Sequence, residues 1–142
     1  MQLLENTKPI FDELESHQVS LGVMQSSSAA GSFLDEVTKW QKRLQLIEGV
    51  LNVWLAVQEK WVELEEIFST HDVRASLSHD ANKFAAVNRD FRLLMRATEK
   101  NPNVLQCCSR KSAFNTSIAT TVHVSSITWF FHEQMWVPSW RR

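Results

Sequence analysis

At 142 residues, with 44% hydrophobic and 22% charged side chains, the chain has room for one domain with a modest core and the composition of an ordinary globular protein. Fifteen Lys and Arg against sixteen Asp and Glu leave a formal net charge of -1, so no excess of positive charge exists to hold a phosphate backbone, and nucleic acid is a poor partner. Three Gly and three Pro are too few to punctuate a many-stranded sandwich, and long helices are favoured instead.

Periodicity gives the elements in chain order. From about Leu3 to Gln25, Leu4, Phe11, Leu14, Gln18 and Leu21 fall at three- and four-residue steps, which predicts an amphipathic helix that Pro9 kinks or helps to start. The small residues from Ser26 to Ser32 read as a helix–helix connection. From Phe33 to Phe68 one row carries Val37, Trp40, Leu44, Ile47, Leu51, Trp54, Gln58, Trp61, Glu65 and Phe68 without a slip. A second row, Leu46, Val50, Val53, Val57, Lys60, Leu64 and Ile67, keeps the same rhythm about 100° away around the helix. Two such rows make an apolar arc wider than a coiled-coil seam, so this helix must touch more than one neighbour. Unbroken, it would be about 50 Å long, with Gly49 its one weak point. Gln58, an amide inside the stripe, should bond a backbone group at a helix end or connection.

The polar stretch from Ser69 to Asp72 ends that helix, and the next begins at Ser78 to Asp80, either of which can serve as N-cap. Phe84, Val87, Phe91, Leu94 and Met95 mark its buried face. It should stop near Lys100, where Asn101 and Pro102 supply a cap and a first-turn proline for a further helix through Val104 and Leu105. After about Lys111 the character changes. Residues 112–142 carry only Glu133, Arg141 and Arg142 as formal charges, with Trp129, Trp136 and Trp140 among Ser, Thr, Val and Ile. Ile118, Thr120, Val122 and Val124 alternate as a strand does, yet no partner strand is evident, so a weakly ordered or loosely docked tail is expected. The expected fold is all-α, an elongated antiparallel helical bundle or array over residues 3–111 with that tail attached.

A search for chemistry returns little. Neither G-x-x-x-x-G-K-S/T nor G-x-G-x-x-G occurs, so no loop is encoded whose backbone could cradle phosphates, and no nucleotide or other cofactor is expected. His17, His71, His79, His123 and His132 show no ligand spacing with Cys107 and Cys108, so no metal site is expected either. The run Glu63-Leu64-Glu65-Glu66 is better read as a solvated helix face than as catalytic carboxylates, because no His, Lys or nucleophile completes a mechanism. Ser26-Ser27-Ser28 lacks the G-x-S-x-G context of a nucleophile. No catalytic residue is assigned. The adjacent Cys107 and Cys108 read as reduced thiols of a cytoplasmic protein, and neither a signal peptide nor a run of ~18–20 apolar residues suited to a bilayer is present.

The string from Trp54 to Phe68 resembles the W-x-x-x-Q-x-x-W-x-x-L-E-x-I-F signature of the dynein heavy-chain linker region, carried here by Trp54, Gln58, Trp61, Leu64, Glu65, Ile67 and Phe68. The resemblance continues through Asp72-Val73-Arg74, Lys83-Phe84, Val87, Phe91, Met95, Pro102 and Val104-Leu105. Upstream, Pro9 to Leu14, His17-Gln18 and Phe33 to Val37 look most like axonemal members. Two departures stand out. Leu77-Ser78 replaces the usual Leu-Pro, and beyond Lys111 the tail replaces the further helices and Phe-Pro-Arg-Phe segment of the family. The resemblance implies a fragment of a mechanical lever that couples an ATPase ring to microtubule-based movement. It also implies the rest of a dynein heavy chain and its complex as partners, and a cytoskeletal, ciliary setting in the axoneme. The competing reading is an independent helical adaptor or scaffold that docks a partner through its aromatic-rich surface or tail.

Overall fold

The computed structural model describes residues 2–109, and every regular element among them is helical. The order is α1 (Lys8–Ser26), a 3-10 turn (Ser28–Phe33), α2 (Leu34–Ser69), α3 (His71–Ser76), α4 (Ser78–Lys100) and α5 (Val104–Ser109). The expectations for residues 112–142, their order and their strand-like alternation included, lie outside the described residues.

The long helix α2 is the spine. It runs through Gly49 without a break over 36 residues. Contacts with α1 descend along one helix as they climb the other: Gln18 Nε2 donates to Glu48 Oε2 at 2.8 Å, and Gln25 Nε2 to Thr38 Oγ1 at 3.3 Å. The two helices are therefore antiparallel. The same holds for α4, where Phe84 meets Phe68, Phe91 meets Trp61, and Met95 meets Trp54. Beyond α4 the chain carries on in the same direction, and α5 brings Cys108 to Ile47 of α2 and Leu14 of α1. The core is consequently in two parts. The larger joins Trp54, Trp61, Leu64 and Phe68 of α2 to Phe84, Val87, Phe91 and Met95 of α4. The smaller joins Leu14, Ile47 and Cys108, and Val50 touches both.

Four local expectations are corrected. The first helix starts at Lys8 rather than Leu3. Pro9 has no N–H to continue a ladder, and its ring would meet the carbonyl of Glu5, so residues 3–7 cannot be helical through it. Instead Pro9 sits in the first turn, while Ile10 and Phe11 both donate to the Thr7 carbonyl at 3.0 and 3.1 Å. The connection after Phe68 is not merely polar loop: α3 forms there, held where Arg74 Nε donates back to the Phe68 carbonyl. Ser78 and Asp80 lie inside α4, whose capping position is Leu77 with no side-chain bond. Leu77 is half-buried against the larger core, so apolar packing sets this start, and Asp80 in the first turn favours the helix dipole. Last, α5 begins one residue after Asn103, which accepts from Gln106 N through Oδ1 at 3.0 Å and from Cys107 N through its carbonyl at 2.9 Å. Asn103 thus does the capping expected of Asn101, and Pro102 precedes the helix rather than opening it.

The turn between α1 and α2 depends on Gly31, at φ 20° and ψ -103°, a backbone geometry that a side chain would strain.

Candidate functional site

The signature residues span about four turns at the C-terminal end of α2, and the structure divides them by role. Trp54, Trp61, Leu64 and Phe68 are buried, with Leu64 fully so. Their spacing of seven, three and four residues puts all four on the side that α4 covers. Trp61 lies against Phe91 with ring centroids 5.0 Å apart, and Phe68 stacks on Phe84 at 5.2 Å and 19°. A buried indole N–H needs an acceptor. Trp54 Nε1 donates to Met95 Sδ at 3.3 Å, and Trp61 Nε1 to Asn88 Oδ1 at 3.3 Å.

Asn88 is also the acceptor for Arg92 Nε at 2.7 Å. The Arg92 guanidinium then lies 5.5 Å above the Trp61 ring and pairs through Nη2 with Glu65. Glu65 is therefore the partner of a specific arginine across the α2–α4 seam, and Glu63 pairs with Lys60 at 3.0 Å on the same helix. The expected face of carboxylates is there, but two of its three members are engaged in ion pairs. The sequence hid Arg92 because its partner is 27 residues away, and no local spacing reports such a pair. Ile67 is half-buried.

Gln58 lies on the same row of α2 as Trp54 and Trp61, where the segment before α1 reaches the larger core. Its Oε1 accepts from Leu4 N at 2.8 Å, and its Nε2 donates to the Leu4 carbonyl at 2.9 Å. One side-chain amide satisfies both polar groups of one backbone residue, as a neighbouring strand would. This is the backbone bond expected of Gln58. Leu3 and Leu4 then pack against the larger core.

Trp40 departs from its expected core role. It is 40% exposed, with the Arg43 guanidinium 4.8 Å over its ring, because α4 and α5 do not reach that level of α2 among the described residues. Leu46 and Val53 of the second row are likewise exposed at 46% and 37%.

The titratable groups do not converge. His17, His71 and His79 are all exposed; His71 and His79 lie in α3 and the first turn of α4 rather than in a loop. Among the described residues no group of three or more His, Cys, Asp or Glu is placed to hold a metal ion. Cys107 and Cys108 are unbridged, and burial beside Leu14 and Ile47, with Cys107 adding to it, pushes the Cys108 thiol above its ordinary range. No described helix is long and apolar enough to cross a membrane.

What the fold and the signature define is a helical packing segment, whose distinctive residues contact other parts of the same chain. The profile described as "Dynein heavy chain, N-terminal region 2" matches residues 1–124, which carries past Lys111. Mouse dynein axonemal heavy chain 17 is 34% identical over 114 residues, covering 80% of this chain and 2% of its own length. The ciliary dynein beta chain of Tripneustes gratilla is 34% identical over 116 residues, covering 81% of this chain and 3% of its own. A flagellar inner-arm dynein-1-alpha heavy chain of Chlamydomonas reinhardtii is 36% identical over 107 residues, or 75% of this chain and 2% of its own. The chain belongs to the dynein heavy chain family, in the N-terminal region of those proteins. It spans only 2–3% of the length of these three relatives.

Proposed function

We propose that this chain is a segment of the dynein heavy-chain linker, a non-catalytic lever that passes conformational change in an ATPase ring to movement along a microtubule. The observation that carries the reading is the seating of α2, which packs against α4 in the larger core and against α1 and α5 together in the smaller one. A helix held in both cores resists bending, because a close-packed interior transmits strain rather than absorbing it. The signature residues serve that seating: Trp54, Trp61, Leu64 and Phe68 fill the α4 side, Glu65 ties it, and Gln58 fastens the chain that leads into α1. Its partners are then the remainder of a dynein heavy chain and its complex, and its setting is the axoneme of a cilium, as the names of the relatives suggest. The adaptor reading, which rests on the aromatic-rich surface or tail, is not favoured by membership of the dynein heavy chain family. A lever of this kind encodes no phosphate loop, and the purified chain should neither bind nor hydrolyse ATP; a saturable ATPase rate surviving further purification contradicts this.

The lever reading is tested by placing residues 2–109 in the matching stretch of a ciliary dynein beta chain and measuring microtubule gliding beside ATPase rate. The chimera should glide. Replacing the exposed Val53 and Ala56 by Gly, each costing about 1 kcal/mol of helix stability, should slow gliding while basal ATPase is kept. Gliding at the parent speed despite both glycines, or ATP turnover without gliding in the unaltered chimera, contradicts the lever role.

A further inference from the structure

The first residues of the described chain form neither helix nor strand, and their attachments are few. Leu4 offers both its backbone groups to the Gln58 side chain, Leu3 and Leu4 lie half-buried on the larger core, and Asn6 turns the chain at φ 50° into α1. Asn is among the few residues that tolerate that region without strain. Glu5 and Asn6 are exposed. The segment leads directly into α1, whose own buried residue, Leu14, belongs to the smaller core with Ile47 and Cys108. Residues 2–7 therefore tie the α1 side of the molecule to the α2–α4 core, at a point where α1 itself has ended.

We propose that residues 2–7 are a releasable strap, and that Gln58 is its latch. The chemistry suits a latch better than a permanent joint. A neutral amide pair adds about 1 kcal/mol per bond in water-accessible surroundings, and two half-buried leucines are far less than the eight buried residues of the core beneath. The eight buried residues of that core all come from α2 and α4, none from the strap. Opening the strap would free Leu4 and uncouple the start of α1, leaving the α2–α4 seam closed. Such local opening, well below the cost of global unfolding, is how proteins expose one segment at a time. The geometry also names the requirement at position 58. The side chain must carry one acceptor and one donor on the same planar group, and Gln at this depth supplies both, whereas Glu keeps the acceptor and loses the donor.

The test is hydrogen exchange on the full chain with Gln58→Leu and Gln58→Glu beside the parent. Gln58→Leu keeps the size and removes both bonds; it should speed exchange at the Leu4 amide by on the order of tenfold or more, from two bonds of about 1 kcal/mol each. Amides of α2 between Trp54 and Phe68 should keep the parent's protection. Gln58→Glu at neutral pH keeps an acceptor for the Leu4 amide but turns its second ionised oxygen on the Leu4 carbonyl, so Leu4 exchange should fall between the parent and Gln58→Leu. In mildly acid solution its protonated form regains a donor, and Leu4 protection should return towards the parent value while Gln58→Leu stays open. Unchanged Leu4 exchange in both variants would mean that the leucines alone hold the strap. Loss of protection along α2 together with Leu4, or failure of either variant to fold, would make residues 2–7 part of the core and end the proposal.

Discussion

Trp54 and Trp40 stand fourteen residues apart on one row of one helix, and they meet different fates. Trp54 is 3% exposed, enclosed by α4 and bonded to Met95; Trp40 is 40% exposed, with the Arg43 guanidinium over its ring. The same contrast runs through the second row, where Leu64 is wholly buried and Leu46 is 46% exposed. A hydrophobic row states which face of a helix can be buried. What buries it is decided by where the neighbouring helices begin and end: among the described residues α4 covers the C-terminal half of α2, while α1 and the 3-10 turn are the neighbours of its N-terminal third.

The largest test of that contrast is truncation at both positions. Trp54→Ala should cost about 3–5 kcal/mol, as expected for emptying a large buried site, and Trp40→Ala about 0.5–1 kcal/mol, the scale of an exposed cation–π contact. Urea unfolding of the two variants reads the difference directly, and equal losses would erase the contrast. Next comes the point where the halves meet. Gly49 lies in the interior of α2, and a Cβ there would touch nothing within 4 Å. Gly49→Ala should therefore raise stability by roughly 0.5–1 kcal/mol, and a loss on thermal unfolding would place an undescribed neighbour or a bend at that site. Across the seam, Glu65→Gln should cost under about 1 kcal/mol, because both it and Arg92 are part-exposed and water screens the pair. A double-mutant cycle with Arg92→Ala isolates the coupling.

The smallest effect belongs to the smaller core. The Cys108 thiol is held above its ordinary pKa of 9.0 in the folded chain, chiefly by burial. Its neutral form is thus favoured by folding, so stability is unaffected below that pH and declines as pH rises from there, where the unfolded thiol ionises and the folded one does not. Cys108→Ala should flatten that alkaline decline, and Cys107, less buried, should be alkylated first by iodoacetamide. Equal labelling rates would show that α5 does not seal Cys108.

The sequence was most legible where the chain meets itself repeatedly. Trp54, Trp61, Leu64 and Phe68 on α2 and Phe84, Val87, Phe91 and Met95 on α4 announce their buried faces through spacing, since each turn of either helix repeats the same requirement. Gln58 was legible as an amide in need of a backbone partner, though nothing named Leu4. The start of α1 was misplaced because Leu3 and Leu4 fit a helical row by chance, while their burial comes from an extended segment on another helix. Arg92 escaped because its role depends on Glu65 and Trp61, both across the seam. The same limit explains Trp40. Spacing carries the near contacts, and the cover at each level of α2 is set by tertiary ends that no local pattern records.

The lever account depends on α2 being one rod, gripped hardest beside α4 and continuous through Gly49. Residue-resolved hydrogen exchange along residues 34–69 measures that grip directly. The slowest amides should fall between Trp54 and Phe68, exchanging only with global unfolding, with protection declining smoothly through Gly49 towards Leu34. A sharp minimum at Gly49, with each half opening independently, would make α2 two hinged helices and contradict the account.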